Sequence, residues 1–340
     1  MAAGGQNTCE SRGDGSLRCW GANSHGQVGD GTTTRRVNPT PVSGGGDYAE
    51  VDTSGSMTCG VRADGSLWCW GLNNRGQLGV GDNKPRRTPT RVGTSTRWRD
   101  VGVGWWHACA TRRDGTLWCW GLNDRGQLGL QDQQNRWNPK RVGSATDWTE
   151  VTAAGRHTCG LRSGQAFCWG MNVHGELGNP ERKIRIQPWP VSTGYRFTDL
   201  DTSWSHTCGV SRSGVPLCWG QNLVGQVGDG TRADRWTPVV PAVGDRVFTS
   251  VGVGALHSCA VDNTGAPWCW GDNSYGQLGT GNRAARLAPG RVATSAQWFD
   301  LDGGWGHTCG TSSAGVRCWG QNEHGQLGVG TTTDRLAPPF

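Results

Sequence analysis

Fourteen cysteines are the residues of this chain with the most chemistry open to them, and none stands alone. They pair as Cys9/Cys19, Cys59/Cys69, Cys109/Cys119, Cys159/Cys168, Cys208/Cys218, Cys259/Cys269 and Cys309/Cys318, always nine or ten positions apart. A thiol can attack an electrophile, ligate a metal or close a cystine. These separations do not match the C-x-x-C pairs of zinc sites, and no odd thiol is left over as a nucleophile. The pattern predicts seven disulfides, and therefore an oxidising compartment. Five of the eight histidines, His107, His157, His206, His257 and His307, share a Gly-x-x-His slot that Asn7 and Met57 occupy in the first two copies. One per copy suits structural hydrogen bonding rather than a metal centre. An arginine recurs three residues before a proline, at Arg36, Arg86, Arg136, Arg185, Arg235, Arg286 and Arg335. Its expected role is to pack its stem and bond nearby carbonyls or carboxylates, rather than to build an anion site. Gly79-Val80-Gly81 lacks the Lys-Ser/Thr of a phosphate loop. No Ser/His/Asp or paired-carboxylate constellation falls at a working spacing, so no enzyme activity, metal or cofactor is expected.

Short strands must position these residues. In Cys59-Gly-Val-Arg-Ala-Asp-Gly-Ser-Leu-Trp-Cys69, a loop of Ala63-Asp64-Gly65 with a left-handed Gly65 sets the two cysteines directly opposite. The fourth copy is one residue shorter, and a two-residue loop at Ser163-Gly164 restores the opposition; the seventh is treated alike. Each bridge closes a small loop and contributes about 2–3 kcal/mol. One copy reads as four strands: Trp98–Val103, a second from the Gly-x-x-His-x-Cys step to the Asp-Gly turn, Leu117–Trp120, and Pro139–Val142. Cys-Trp-Gly returns seven times at intervals of 49 to 51 residues. Such a period marks a repeat architecture, and four short strands per unit fit a propeller blade. A lone blade leaves its faces open, whereas a closed ring buries them. The expected fold is all-β: a seven-bladed β-propeller with four-stranded blades and one intrablade disulfide in each. It forms a single domain over 1–340, with repeats near 1–46, 47–96, 97–146, 147–195, 196–246, 247–296 and 297–340. Met1 aligns with Val101 and Phe340 falls in the last fourth strand, so closure is expected to rest mainly on side-chain packing, without strand exchange.

The pattern Val-x-x-Gly-x-x-His-Thr-Cys…Asp-Gly-x-Leu-x-Cys-Trp-Gly-x-Asn-x-x-Gly-Gln-Leu-Gly resembles the repeat of the regulator-of-chromosome-condensation family, over essentially all of residues 1–340. The resemblance is to a bacterial-type, cystine-containing, secreted form, and it too implies seven blades. It leaves function open, because that family includes exchange factors, photoreceptors and inhibitors.

A residue present in every copy serves the repeat, so function is sought in what differs. Of twenty tryptophans, seven belong to Cys-Trp-Gly, and Trp98, Trp148 and Trp298 read as first-strand packing. Trp105, Trp106, Trp204 and Trp305 lie unrepeated in the Gly-x-x-His turn. Trp137, Trp189 and Trp236 lie just before the fourth strand, with Arg136 and Arg235 beside two of them. Loop tryptophans and arginines are typical of binding hot spots. These nine residues are the candidate partner-binding set of a non-enzymatic module that recognises a protein through loops on one face. A glycan is the alternative ligand, since indoles stack on sugar rings. A small-GTPase exchange factor fits less well, because the inserted wedge and basic tail of that branch are missing and cystines suit a nucleus badly. A UV-B sensor fits less well too, because the Gly-Trp-x-His turns fall in alternate rather than adjacent blades. The net charge of +6 comes without a basic run, so no nucleic-acid partner is expected. No apolar segment is long enough to cross a bilayer. Met-Ala-Ala-Gly-Gly does not read as a signal peptide, and the expectation is a monomer that is secreted, periplasmic or on the cell surface.

Overall fold

Turn chemistry dictates the blade. In a computed structural model that describes residues 1–339, the third repeat folds as a meander of four antiparallel strands. These are an inner strand Trp98–Val103, a second His107–Arg112, a third Leu117–Gly121 and an outer strand Arg136–Arg141. Six repeats give four-stranded sheets in chain order, and the seventh gives three strands, joined to Arg335 by one isolated bridge at Gly320. The inner strands surround a narrow axial channel, and the whole is an all-β propeller of seven blades. Phe340, expected in the last fourth strand, lies outside the described residues.

The outer strand starts earlier than Pro139. A bulge interrupts its ladder between Cys119↔Lys140 and Gly121↔Arg136, and pairing resumes beyond it, so the strand reaches back to the repeated arginine. Trp137, Trp189 and Trp236 therefore stand within outer strands, not ahead of them.

All seven disulfides form: Cys9–Cys19, Cys59–Cys69, Cys109–Cys119, Cys159–Cys168, Cys208–Cys218, Cys259–Cys269 and Cys309–Cys318. In each, the two Cα atoms are 4.1 Å apart. The long hairpin closes through Gly65 at φ 78°, and the short one through Ser163 at φ 49° and Gly164 at φ 81°. Both loops leave the cysteines paired in register, Cys59↔Cys69 and Cys159↔Cys168.

Blades are joined by one repeated device. The Trp120 indole N–H donates to the Gln77 carbonyl of the preceding blade at 2.9 Å. Trp20, Trp70, Trp169, Trp219, Trp270 and Trp319 do the same toward residues 326, 27, 127, 176, 226 and 277. The glycine two residues after each accepting residue lies against that indole: a Cβ on Gly79 (φ +69°) would stand 2.7 Å from Trp120 Nε1. The ring closes with the same parts. Trp20 reaches the Gln326 carbonyl at 2.8 Å, and the Ala3 N–H donates to Asp302 at 2.8 Å. Among the described residues every sheet is built from one repeat alone, and no strand is exchanged at the closure.

Candidate functional site

Strand polarity decides which loops share a face. Gly121 pairs with His107 on one side and Arg136 on the other. The Trp105–Trp106 turn, the 122–135 loop and the start of the outer strand thus lie at one end of the sheet, with the Asp-Gly hairpins at the other. On the first face, Trp105, Trp204 and Trp305 from blades three, five and seven converge over the channel mouth. Their ring centroids lie 4.0 Å (105–204), 5.4 Å (105–305) and 6.2 Å (204–305) apart, and Trp106 lies 5.2 Å from Trp105. The alternate-blade spacing of these turns counts against a UV-B sensor in the sequence, yet the rings do meet. The structure brings them together because these turns sit next to the axis, where blades are closest. Gly5, Gly55, Gly155 and Ala255 hold the same position in the intervening blades and leave room. Trp204 and Trp305 stay 38% and 40% exposed. Beside them opens a cavity of about 260 Å³ lined by Gln6, Ser56, Leu72, Trp105, Trp106 and Trp305.

The other candidates stand apart from this cluster. Trp137 is exposed, but one side of it lies on the preceding blade, where a Cβ on Gly76 would meet its Cδ1 at 2.8 Å. Trp236 sits likewise against Gly175, and Val37, Arg87, Ile186, Leu287 and Leu336 fill this position in the other blades. The position is thus a ring-wide inter-blade contact that happens to carry tryptophan twice. Trp189 pairs with Cys168 at mid-strand under the Arg185 guanidinium, 4.1 Å from its ring. Arg136 closes its own loop onto Asp132 at 2.5 Å, and Arg235 onto Asp229. Half-exposed pairs of this kind contribute little, so Arg136→Ala is expected to change unfolding free energy by less than about 1 kcal/mol in a urea titration.

The cysteines, which had the widest chemistry open to them in the sequence, belong to the scaffold and not to this site. Cys19, Cys218 and Cys269 show it most fully: each lies in the middle of a third strand, is 0% exposed and is spent in a cystine with the second strand of its own blade. A sulfur so placed offers neither a nucleophile nor a contact to a ligand. Their partners Cys9, Cys208 and Cys259 are equally buried, so all six serve as blade staples.

Sequence reasoning missed the carboxylates that line the channel. Asp52, Asp201 and Asp302 lie beneath the indoles, and Glu50, Asp100, Glu150, Asp199 and Asp300 lie deeper. Most serve the fold. An inner strand is a sheet edge with unpaired N–H groups, and the preceding blade supplies the acceptor. Val103 N–H donates to Asp52 at 2.6 Å, Val151 to Asp100 at 2.9 Å, Leu200 to Glu150 at 3.0 Å and Val253 to Asp201 at 2.7 Å. The usable signal was an acidic residue recurring two positions after the aromatic of the first strand, as in Glu50, Asp100, Glu150, Asp199 and Asp300. Burial, then the Asp302 charge, pushes Asp52 up to about 8; burial, then Asp100, pushes Glu50 to about 7. Burial holds Asp302 at about 7, and Asp100 and Asp199 at about 6. Glu50 and Asp300 meet solvent at the far mouth, which tempers the effect there.

The repeated histidines are buried and neutral. Thr158 Oγ1 spends its proton on the Gln127 carbonyl at 2.8 Å, so it accepts from His107 Nε2–H at 2.8 Å. His107 Nδ1 is left as a buried lone pair without a partner. Burial, with His157 adding repulsion, holds His107 down to about 3, and burial alone holds His157 at about 4. The two sets of groups oppose each other with pH. The channel carboxyls bind protons more tightly when folded, so their share of stability is complete below about pH 4 and is lost as pH rises through about 6 to 8. The histidines' folded values lie below the ordinary 6.5, so their share is complete above 6.5 and is lost as pH falls toward 3. Above 6.5 only the carboxyls act. Calorimetry is expected to show Tm falling from about pH 6.5 to about pH 8.5, with a shallower fall in Asp52→Asn.

With this geometry in hand, likeness to known proteins can be placed. The family described as regulator of chromosome condensation (RCC1) repeat matches residues 64–111, 114–161 and 264–310, and a second RCC1-repeat description matches 49–77, 98–127 and 248–277. The ultraviolet-B receptor UVR8 of Arabidopsis thaliana is 40% identical over 68 residues, which are 19% of this chain and 16% of the receptor. Human WBSCR16 superposes with a TM-score of 0.81 at 19% identity, covering 92% of this chain and 86% of that one. Yeast RCC1 (Prp20), in its structure bound to Kap60, superposes with a TM-score of 0.80 at 18% identity, covering 95% and 82%. At these identities the superpositions show a common fold. The repeat matches and the seven sheets that carry them lead to one assignment: the chain belongs to the RCC1-repeat family.

Proposed function

We propose that this propeller is a non-enzymatic binding module of an oxidising, extracytoplasmic compartment, and that it engages a protein partner through the tryptophans at the channel mouth. One observation carries the reading. Trp105, Trp204 and Trp305 fill one turn position in only three of the seven blades, and with Trp106 they gather on one face around an open cavity, two of them substantially exposed. Large indoles left partly wet and clustered are costly unless something covers them, and they are the side chains that dominate interface energies. Yeast RCC1 (Prp20), which has the same fold, is seen bound to another protein, Kap60. Affinity capture from extracellular fluid tests the reading. Capture of a partner held by the wild-type chain is expected to drop at least tenfold in Trp305→Ala and to persist in Trp137→Ala. Equal capture by both variants contradicts it.

The same indoles favour a second reading. Rings with centroids 4.0 to 6.2 Å apart share their excitation, and the 68-residue match is to a UV-B receptor. A UV-B-induced change in oligomeric state that Trp105→Phe abolishes supports it; an unchanged state contradicts it.

A further inference from the structure

Positive charge is distributed unevenly over the hairpin end of the ring. Three residues after the first cysteine of each blade, blades one to four carry an arginine, and blades five to seven carry Ser211, Asp262 and Ser312. Arg12 pairs with Glu10 at 3.3 Å and Arg162 with Asp147 at 2.8 Å. Arg62 and Arg112, in the two blades between them, meet no carboxylate. Arg91 and Arg141 end the outer strands of the same two blades. Arg97 and Arg113 lie exposed in the adjoining connections. The six form one patch: the Arg113 backbone N–H donates to the Arg97 carbonyl at 2.8 Å, and its guanidinium reaches the Ala63 carbonyl of the neighbouring hairpin at 3.5 Å.

Among the described residues, none of these six arginines enters an ion pair. Their hydrogen bonds go mostly to backbone carbonyls, as from Arg62 to Gly45 at 2.8 Å, Arg91 to Thr94 at 3.2 Å and Arg141 to Ser144 at 2.9 Å. The two nearest carboxylates are occupied by their own turns. Asp64 accepts from the Ser66 hydroxyl and Asp114 from the Thr116 hydroxyl, each at 2.6 Å. Two guanidiniums are held in place by aromatic rings. Arg112 lies 4.4 Å from the Trp98 ring and 4.0 Å from the Trp118 ring, and Arg62 lies 4.0 Å from the Trp68 ring. Burial lowers the Arg112 pKa; Asp114 draws it back up, and Arg97 adds repulsion. Fixed, unpaired cations beside one another favour an anion that bridges them.

We infer that the hairpin face of blades two and three binds a linear anionic polysaccharide, one that carries sulfate or carboxylate groups on successive sugars. Cations spread over two blades suit a polymer of repeated charge better than a single small anion. Guanidinium forks match the planar carboxylate and the sulfate oxygens, and those pinned on indoles lose little freedom on binding. Nucleic acid fits less well, because strand binding draws on open aromatic faces. Trp98 is buried, and Trp118 is half-buried with the Arg112 guanidinium over its ring. This face lies at the opposite end of the blades from the channel-mouth tryptophans, and the inference does not depend on them.

The test uses the intact oxidised chain and four probes in low salt: a heparin octasaccharide, an oligogalacturonate of equal length, neutral dextran and an oligothymidylate. Saturable calorimetric binding of one or both charged glycans is expected, weakening steeply with added salt, with a shift of the Trp118 indole resonance. Binding of only one of them supports the inference and identifies the anionic group. Arg97→Gln combined with Arg113→Gln, both at exposed positions, is expected to weaken binding at least tenfold while thermal unfolding stays unchanged. Arg291→Gln, in blade six, is expected to leave it unchanged. No saturable binding of either charged glycan at millimolar concentration overturns the inference, as does equal affinity in the double variant. Equal affinity for dextran or for the oligothymidylate overturns it too.

Discussion

Thermal unfolding in the presence of a strong reductant is expected to occur at least 20 degrees below that of the oxidised protein, or to leave no cooperative transition. Each cystine closes a loop of about ten residues and contributes on the order of 2–3 kcal/mol. Seven of them together rival the roughly 5–15 kcal/mol that holds a typical domain folded. All fourteen cysteines are at most 2% exposed. Reductant therefore reaches them only when a blade opens, and loss of structure should follow unfolding-limited kinetics rather than reductant concentration. A single bridge is a smaller lesion. Cys109→Ala with Cys119→Ala is expected to lower stability by about 2–3 kcal/mol, read from denaturant midpoints by circular dichroism. A fully reduced chain that melts with the oxidised one would show that inter-blade contacts alone hold the ring.

Those contacts set the second large effect. Trp120→Ala is expected to cost about 3–5 kcal/mol for the lost ring and the cavity it leaves. A further loss of about 1–3 kcal/mol comes from the Gln77 carbonyl, buried and deprived of its donor. Trp120→Phe keeps most of the volume and should show mainly the second loss. Trp137→Ala, at an exposed outer-strand site, should cost far less. Equilibrium urea unfolding of the three variants separates the contributions, and equal losses at 120 and 137 would contradict the inter-blade account.

Much of this was legible in the residues, for a physical reason: hairpin geometry is local. The Asp64-Gly65 and Ser163-Gly164 turns fix which cysteines face each other, so the bridges and the meander follow from spacing. The start of the outer strand was not legible, because the bulge that carries it back to Arg136 is set by the long loop before it, not by strand propensity. The convergence of Trp105, Trp204 and Trp305 depends on ring radius, which no single repeat encodes; alternate blades are distant in sequence and adjacent at the axis. The channel carboxylates were hidden for a similar reason. Asp52 looks like a surface residue until the next blade brings the Val103 N–H to it. Arg136 and Arg235 drew notice beside tryptophans, and the structure sets each against an aspartate of its own loop.

Amide hydrogen exchange on the complex with a captured partner tests the central claim most directly. The account predicts protection at the inner turns around residues 104–107, 203–206 and 304–307, where the four indoles meet, with the Asp-Gly hairpins of the opposite face unchanged. Protection confined to those hairpins or to the outer strands, with the tryptophan turns exchanging as in the free chain, would contradict it.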